Sequence, residues 1–353
     1  MERLELLKCH LQGHVILHNT SQAVVLRFNR PSVSNAASFE MIYSTITQAE
    51  VCKCQNKYLV LTGNTSKNFI AGGDLKLTTQ QVSQVPEYLR SLHEMFWKVH
   101  KLGRAISLWT GHVIGSGAGL ACSCAFRVGF PCTSYSMPEN MLGLFPDVGA
   151  PYFLTHYLDL EVGLYLFLTG TKVLGADTYF LGLTNFYIPE HSFESILNEM
   201  QHLDPLEVIK KHHKEPSSAE SGILKCKGYI KECFSAGSLE GILAKLKTHN
   251  SDWHTQTLAK LEKSCPLSLK VAFEVFHKCK DLTLKEVLEA EYRWESAMMV
   301  HLNYNFQTGV KYKLSKKKNP PWLPSTLEEV TSELLDSVLN NPQPLNIDLS
   351  KLD

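Results

Sequence analysis

Closely spaced glycines and one downstream acid are the residues of this chain best suited to chemistry. Residues 105–126 read AISLWTGHVIGSGAGLACSCAF and contain no Asp, Glu, Lys or Arg. Because Gly115, Gly117 and Gly119 lack side chains, a ligand can approach backbone N–H groups closely there. If the cluster begins a helix, those N–H groups favour negative charge, such as the oxyanion of an acyl-transfer reaction. Glu139 follows in SMPENMLGLFPDVG and is a candidate base or nucleophile.

An apolar run that ends in small residues predicts a buried strand that leads into a helix. A transmembrane helix could also span these 22 uncharged residues, but the central glycines and serines disfavour it. A dinucleotide-binding GxGxxG turn would need its third glycine where Leu120 stands. A small-residue helix that only packs tightly is the alternative without a function.

Composition limits the class of protein. The chain has 353 residues, of which 44% are hydrophobic and 20% charged, so one large domain with an appended piece is expected. Lys+Arg and Asp+Glu number 35 each, so no overall field attracts nucleic acid. The first ten residues, MERLELLKCH, have neither the apolar core of a signal peptide nor the acid-poor, Arg-rich composition of a transit peptide. Ten scattered cysteines predict reduced thiols, and none has partners at zinc-ligand spacing, so we expect no metal site.

The first 215 residues alternate between strand-like and helix-like segments. Residues 14–19 and 23–28 predict a β-hairpin, since a short polar turn separates two apolar runs. Residues 39–51 have helical apolar spacing, and residues 57–63 form a short apolar run that predicts a buried strand. These segments predict an α/β core over residues 1–215.

Residues 216–353 have helical apolar spacing almost throughout and predict a separate helical region. Ser325 and Glu328 have the spacing of a capping box for the last helix. The final residues, 342–353, are expected to form a loosely held tail.

Several sequence motifs resemble those of the crotonase (enoyl-CoA hydratase/isomerase) superfamily. They are LRFNRP (26–31), FIAGGDL (69–75), GHVIGSGAGL (111–120), MPENMLGLFPDVG (137–149) and FLTGTKVLGAD (167–177). The GLFPDVG phrase is most similar to the 3-hydroxyisobutyryl-CoA hydrolase branch, and AEYRWESAMM and NFQTGVKYKL extend the resemblance to the C-terminal third. The resemblance implies an α/β fold, a crotonase-like spiral of ββα units with a helical C-terminal region. It also implies an acyl-CoA substrate, no separate cofactor because coenzyme A is part of the substrate, a homo-oligomer without a membrane anchor, and a mitochondrial location.

The resemblance also separates hydrolysis from hydration. Hydratases of the superfamily use two glutamates, and the first of these positions is Gly119 in this chain. One carboxylate with an oxyanion hole suffices for thioester hydrolysis. When the roles known in the family are assigned to the matching positions of this chain, the resemblance implies that Glu139 is the catalytic carboxylate. It also implies that Ala71 and Ser116 supply the oxyanion N–H groups. Asp147 contacts the 3-hydroxyl group of the substrate or the attacking water.

The remaining implied substrate-binding residues lie in the two glycine-rich loops. Gly72 and Gly73 bring the backbone against coenzyme A, and Asp74 caps or braces that loop. Gly115 and Gly117 complete the implied set on either side of the serine.

Three positions depart from the family pattern. The glycine trio has Ser116 at its centre, where a left-handed backbone would cost about 1–2 kcal/mol. A lysine that helps to hold coenzyme A is replaced by Ser32, and an upstream acid falls at Ser91, with Glu94 one turn away.

These departures keep a second hypothesis open. Relatives of this hydrolase serve as structural components of the mitochondrial small ribosomal subunit in some lineages. The basic runs 210–214 and 313–318 could contact RNA phosphates in such an assembly, or the phosphates of coenzyme A. Both runs are also consistent with ordinary charged segments that are exposed to solvent. The balanced net charge of the chain argues against extensive RNA contact. Hydrolysis is therefore the favoured prediction.

Overall fold

Two β-sheets form the first half of the protein. The computed structural model describes residues 13–189, 193–218, 221–340 and 347–352. Its strands are β1 (Val15–Asn19), β2 (Ala23–Phe28), β3 (Tyr58–Gly63), β4 (Asn68–Ala71), β5 (Ala105–Trp109), β6 (His112–Ile114), β7 (Phe126–Gly129), β8 (Ser134–Ser136), β9 (Val173–Leu174) and β10 (Phe186–Tyr187). The larger sheet has the order β1-β2-β3-β5-β7-β10, and the smaller one has the order β4-β6-β8-β9.

From β3 to β8, successive strands alternate between the two sheets. β2, β3, β5, β7 and β10 pair in parallel, and β1 pairs antiparallel with β2. In the smaller sheet β4, β6 and β8 are parallel and β9 is antiparallel. Each strand pair therefore has its first strand in the larger sheet and its second in the smaller one, as in β3–β4, β5–β6 and β7–β8. This is the predicted spiral of ββα units.

Helices follow the strand pairs and make up the C-terminal region. They are α1 (Phe39–Gln55), α2 (Leu75–Gln80), α3 (Val85–Leu102), α4 (Ser116–Ser123), α5 (Ala150–Tyr157), α6 (Leu160–Thr169), α7 (Asp177–Phe180), α8 (Phe193–Glu199), α9 (Pro205–His212), α10 (Gly222–Phe234), α11 (Leu239–Lys247), α12 (Asp252–Lys263), α13 (Pro266–Cys279), α14 (Leu284–Ser296), α15 (Tyr304–Leu314) and α16 (Ser332–Leu339). A π-helical segment, Ala297–His301, joins α14 to α15. Among the described residues, no helix combines the length and apolar character needed to cross a membrane.

The apolar run 105–126 forms two strands and a helix. Gly111 separates β5 from β6 and has φ +64°, and a Cβ atom there would lie 1.9 Å from the Lys67 carbonyl oxygen. A side chain cannot fit at such a distance, so this glycine permits the crossing from one sheet to the other. The crossing places the start of α4 at the end of β6.

Most of the predicted local structure is confirmed. The hairpin forms β1 and β2, and the strand predicted at 57–63 is β3. The helix predicted at 39–51 continues to Gln55, where Asn56 ends it with φ +53°.

Two predictions near the C-terminus are wrong. The last helix begins at Ser332, where the Thr331 side chain accepts a hydrogen bond from the Leu334 N–H. Ser325 instead donates its N–H and hydroxyl to Glu329, at 2.8 and 2.9 Å, so the predicted capping box is absent. For the predicted loose tail, residues 342–346 and 353 lie outside the described residues. In the described part, Leu349 is fully buried and its N–H donates to Glu289 Oε1 at 3.0 Å, so this part is held in place.

One hydrophobic core joins the sheets to the C-terminal helices. The ring of Phe167 lies 5.3 Å from that of Phe276, and Phe145 lies 6.4 Å from Trp294, between ring centroids. All four rings belong to the same buried cluster. The helical region is therefore part of the structure that positions the candidate site. The boundary at residue 215 remains a prediction.

Candidate active site

A cavity of about 560 Å³ lies where the ends of β4 and β6 meet the C-terminal helices. Six of the predicted site residues line it: Ala71, Gly72, Gly73, Ser116, Glu139 and Asp147. Much of the remaining wall is apolar and includes Leu75, Leu89, Leu92, Leu144, Val148, Met299 and Phe306. An apolar cavity with a few convergent polar groups is typical of a small-molecule site.

Glu139 is the acid expected to do the chemistry. It begins a short 3-10 turn, Glu139–Leu142, directly after Pro138. Its side chain is buried, and its Oε2 atom makes no hydrogen bond with the described residues. Burial, followed by the nearby charge of Asp147, raises the pKa of Glu139 well above the usual range. A carboxyl group held in this way becomes a stronger base once it ionises.

The glycines around Ser116 serve close packing. A Cβ atom on Gly117 would lie 2.3 Å from the Ile70 carbonyl oxygen, so this glycine lets α4 rest on β4. Gly115 has φ +55° and lies against Glu139. Both glycines therefore serve packing, and neither is among the residues that line the cavity. Their contact with substrate stays a prediction.

Ser116 is the first residue of α4 and lines the cavity. It does not have a left-handed backbone, so the strain expected at this position is absent. A first-turn N–H has no acceptor within its own helix, which leaves it available to a ligand. The Ser116 hydroxyl is buried and makes no hydrogen bond with the described residues.

Ala71 lines the cavity, but its N–H already donates to the Ser34 carbonyl oxygen at 3.1 Å. An oxyanion at this point would have to compete with that bond. The oxyanion contact of Ala71 stays a prediction, and Ser116 is the better-placed donor of the two.

Asp74 stabilises the loop of residues 71–74, whose sequence is AGGD. Its Oδ1 atom accepts the N–H groups of Lys76 and Leu77 at 3.2 Å each, and its Oδ2 atom accepts a bond from Arg30 at 3.1 Å. It caps α2 as expected and is not among the residues that line the cavity, and its contact with substrate stays a prediction. Gly72, with φ +96°, lies at the cavity surface one residue before Gly73.

Asp147 lies in a turn with unusual backbone geometry. The next residue, Val148, has φ +57°, a conformation that is strained for a β-branched side chain. Val148 packs on α4, where a Cβ atom on Gly119 would lie 2.5 Å from the Val148 carbonyl oxygen. Burial raises the pKa of Asp147, and a hydrogen bond with Glu295 counteracts that rise.

Sequence reasoning missed three buried groups behind Asp147. Glu291 and Glu295 come from α14 and His93 comes from α3, and all three are fully buried. His93 Nε2 lies 3.3 Å from Glu295 Oε1 and 3.9 Å from Glu291 Oε2. Leu288, Glu291 and Glu295 follow one face of α14, so acids within an apolar stripe were the available signal.

Apart from Ser116, the positions that depart from the family pattern lie away from the cavity. Ser32 is exposed, and Ser91 is buried and hydrogen-bonded to Tyr43 and Glu87. Neither residue lines the cavity, and Glu94 does not line it either.

The two basic runs differ in their surroundings. Lys210 pairs with Glu207 at 2.8 Å and Lys211 with Glu199 at 2.9 Å. From the run 313–318, Lys313 lines the cavity, together with Lys172, and both lysines are exposed.

Comparison with known proteins agrees with this architecture. Residues 23–339 match the family described as enoyl-CoA hydratase/isomerase. The chain belongs to this family. Its relatives include the mitochondrial 3-hydroxyisobutyryl-CoA hydrolase of Xenopus tropicalis, which is 30% identical over 95% of this chain and 93% of that protein. The human protein of the same name is 29% identical over 92% of this chain and 87% of its own length.

Solved structures of the family share the fold. A carnitinyl-CoA dehydratase from Mycobacterium thermoresistibile superposes with a TM-score of 0.85 at 23% identity, over 94% of this chain and 97% of that one. An enoyl-CoA hydratase from Rhodobacter sphaeroides gives the same TM-score and identity, over 95% and 99%. This member of the enoyl-CoA hydratase/isomerase family is thus related in sequence to 3-hydroxyisobutyryl-CoA hydrolases.

Proposed function

We propose that this family member hydrolyses the thioester of a short 3-hydroxyacyl-CoA, with 3-hydroxyisobutyryl-CoA as its substrate. The products are 3-hydroxyisobutyrate and coenzyme A, as in the breakdown of valine. The names of its relatives support this substrate. The mitochondrial location of those relatives supports the same compartment for this chain.

The contact between Gly119 and Val148 carries the choice of hydrolysis over hydration. A Cβ atom on Gly119 would lie 2.5 Å from the Val148 carbonyl oxygen and 2.7 Å from its Cβ atom. Since real Cβ contacts are longer, a glutamate does not fit at this position without a shift of Val148. The first glutamate of the hydratase pair therefore has no place here, whereas Glu139 remains.

The chemistry requires one ionised carboxylate and a donor to the thioester oxygen. The Glu139 carboxylate either attacks the carbonyl carbon or removes a proton from the attacking water. The Ser116 N–H stabilises the oxyanion of the tetrahedral intermediate. The C–S bond then breaks and the thiolate of coenzyme A takes a proton. If water attacks, the new C–O bond completes the acid. If Glu139 attacks, the product is an acyl-Glu139 anhydride, which water then hydrolyses to the acid and the free Glu139 carboxylate.

Two exposed lysines support binding of a phosphorylated ligand. Lys172 and Lys313 approach the cavity from different segments of the chain and form no ion pair with other described residues. Ammonium groups at the mouth of an apolar cavity attract an anionic ligand such as coenzyme A. Affinity should therefore fall as the salt concentration rises.

The Glu139→Gln variant tests the proposal. The amide keeps the size of the side chain but can neither attack nor accept a proton, so release of the coenzyme A thiol should stop while acyl-CoA still binds. The matched control is Glu262→Gln, an exposed residue of α12. Unchanged turnover in Glu139→Gln would contradict the assignment, and hydration of an enoyl-CoA by the wild type would favour a hydratase instead.

A further inference from the structure

The residues that line the cavity differ in exposure, which gives the cavity a mouth and an inner end. Met141, Lys172 and Lys313 line it and are exposed, so they mark its mouth. Leu89 and Leu92 of α3 also line it but are each only 2% exposed, so they mark its inner end. An acyl-CoA ligand must leave its charged phosphates in water, because charge is costly to bury. Its acyl group therefore points towards the inner end.

Helix α15 runs between these two ends. Phe306 lies in its first turn, lines the cavity and is 2% exposed. Lys313 lies in its last turn, at the mouth. A separation of seven positions corresponds to about 10 Å along a helix. The segment that precedes α15 therefore lies at the buried end of this helix.

That segment is the π-helical turn Ala297–His301, and Met299 lies within it. The Leu302 N–H donates to the Ala297 carbonyl oxygen, five positions earlier, at 2.8 Å, which is the π-helical pattern. The turn packs against both α3 and α15. Met299 lines the cavity and is 3% exposed, so it belongs to the inner end. Single π-helical turns are frequent at functional sites.

The preceding residue is also a methionine, but it has different surroundings. Met298 is 1% exposed and belongs to the hydrophobic core, and it is not among the residues that line the cavity. Successive residues of a helix point in different directions, so only Met299 of this pair meets a ligand. The pair therefore allows contact with a ligand to be separated from core packing.

We propose that Met299 sets the maximum length of the acyl group that the cavity accepts, and that its ligands are coenzyme A thioesters of short acyl chains. The inference rests on the proposed function, since it takes an acyl-CoA as the ligand. A methionine side chain is long and flexible, so it fills the end of an irregular apolar space. An acyl chain that reaches Met299 can extend further only if this side chain is displaced or removed.

The test compares the affinities of butyryl-CoA and hexanoyl-CoA, measured by titration calorimetry in Glu139→Gln, which should not release thiol. In Glu139→Gln alone, hexanoyl-CoA should bind no more tightly than butyryl-CoA, because its additional methylene groups find no room. Adding Met299→Ala removes the side chain beyond Cβ and opens the inner end. Hexanoyl-CoA should then bind about tenfold more tightly than butyryl-CoA, since each buried methylene group contributes a factor of about four.

Met298→Ala in the same Glu139→Gln protein is the matched control. It loses the same atoms from an equally buried position, so it should lose similar stability. Its ratio of hexanoyl-CoA to butyryl-CoA affinity should equal that of Glu139→Gln alone. An unchanged ratio in Met299→Ala, an equal rise in both alanine variants, or a preference for hexanoyl-CoA without either substitution would overturn the inference.

Met299→Phe tests the opposite direction and decides the matter if Met299→Ala does not fold. The larger side chain fills more of the inner end, so the affinity for butyryl-CoA relative to acetyl-CoA should fall at least tenfold. The same relative affinity as in Glu139→Gln alone would overturn the inference.

Binding and turnover together separate this inference from the proposed hydrolysis. If the wild type releases no thiol but Met299→Ala gains the preference for hexanoyl-CoA, hydrolysis is wrong and the role of Met299 is confirmed. If the wild type releases thiol and the affinity ratio does not change, hydrolysis is confirmed and the role of Met299 is wrong. If no acyl-CoA binds to any of these proteins, both are wrong.

Discussion

The carboxylate of Glu139 occupies the space that a side chain on Gly115 would need. A Cβ atom on Gly115 would lie 2.8 Å from Glu139 Oε1 and 3.4 Å from the Gly72 Cα atom. The first glycine of the trio therefore fixes how closely the Glu139 carboxylate approaches the start of α4. Its role is to accommodate Glu139, whereas Ser116 lines the cavity.

Gly115→Ala should lower kcat at least tenfold, because the new methyl group displaces the Glu139 carboxylate. It should also destabilise the fold by about 1–2 kcal/mol, the cost of a positive φ for a residue with a side chain. Gly103→Ala is the control, since Gly103 has φ +64° with no atom within 4 Å of a Cβ. That control should lose stability and keep its kcat. Equal activities in the two variants, measured by thiol release, would refute the steric argument.

The pH dependence of turnover should report the raised pKa of Glu139. Because Glu139 acts as the anion, kcat/KM should rise with pH through a value above about 4.3, the ordinary pKa of glutamate. Asp147→Asn removes the like charge and should move this acid limb to lower pH. A limb that stays in place in Asp147→Asn would show that the two carboxyl groups do not interact.

Ser116→Gly should leave kcat unchanged or modestly lower. The backbone N–H is present in both residues, and the serine backbone is helical, so glycine relieves no strain. The measurement is thiol release by the two proteins side by side. A rise of a hundredfold or more would mean that the serine side chain blocks the oxyanion site, since one donor is worth about that much.

Glu291 should make stability fall as the pH rises. Burial raises its folded-state pKa well above the unfolded value, so its contribution is full below about pH 4.3 and is lost as the pH rises towards the folded value. Glu291→Gln does not titrate and keeps an acceptor for the Gly149 N–H. The melting temperature of Glu291→Gln minus that of the wild type should therefore become more positive as the pH increases. Glu262→Gln, which is exposed, should show a constant difference, and a constant difference in both would contradict this prediction.

Local patterns predicted the parts of the site that lie close together in sequence. The glycine run, Glu139 and Asp147 fall within one segment of the chain, so the sequence motifs were enough to predict that these residues lie close together. The motif did not indicate the packing role of Gly115 and Gly117, because the lack of a side chain can serve backbone packing as well as contact with a ligand. The hydrogen bond from the Ala71 N–H to the Ser34 carbonyl oxygen was not predicted, because Ser34 belongs to another loop.

Groups that meet only through the tertiary fold were not predicted. His93 and Glu295 are about two hundred positions apart, and no local pattern links them. The resemblance covered AEYRWESAMM without assigning a role to its acids. Ser325 was expected to pair with Glu328, but the acid one residue further on accepts its bonds, because the chain forms a turn there before α16 begins.

The contact between Gly119 and Val148 also restricts how members of this family can exchange one reaction for another. A glutamate at 119 requires a smaller or displaced residue at 148, and residue 148 follows directly after Asp147. The first substitution alone would clash with the turn, and the second alone would open a gap beside Gly119. A chain of this fold that gains a glutamate at 119 must therefore change both positions together or lose the close packing of α4 against this turn.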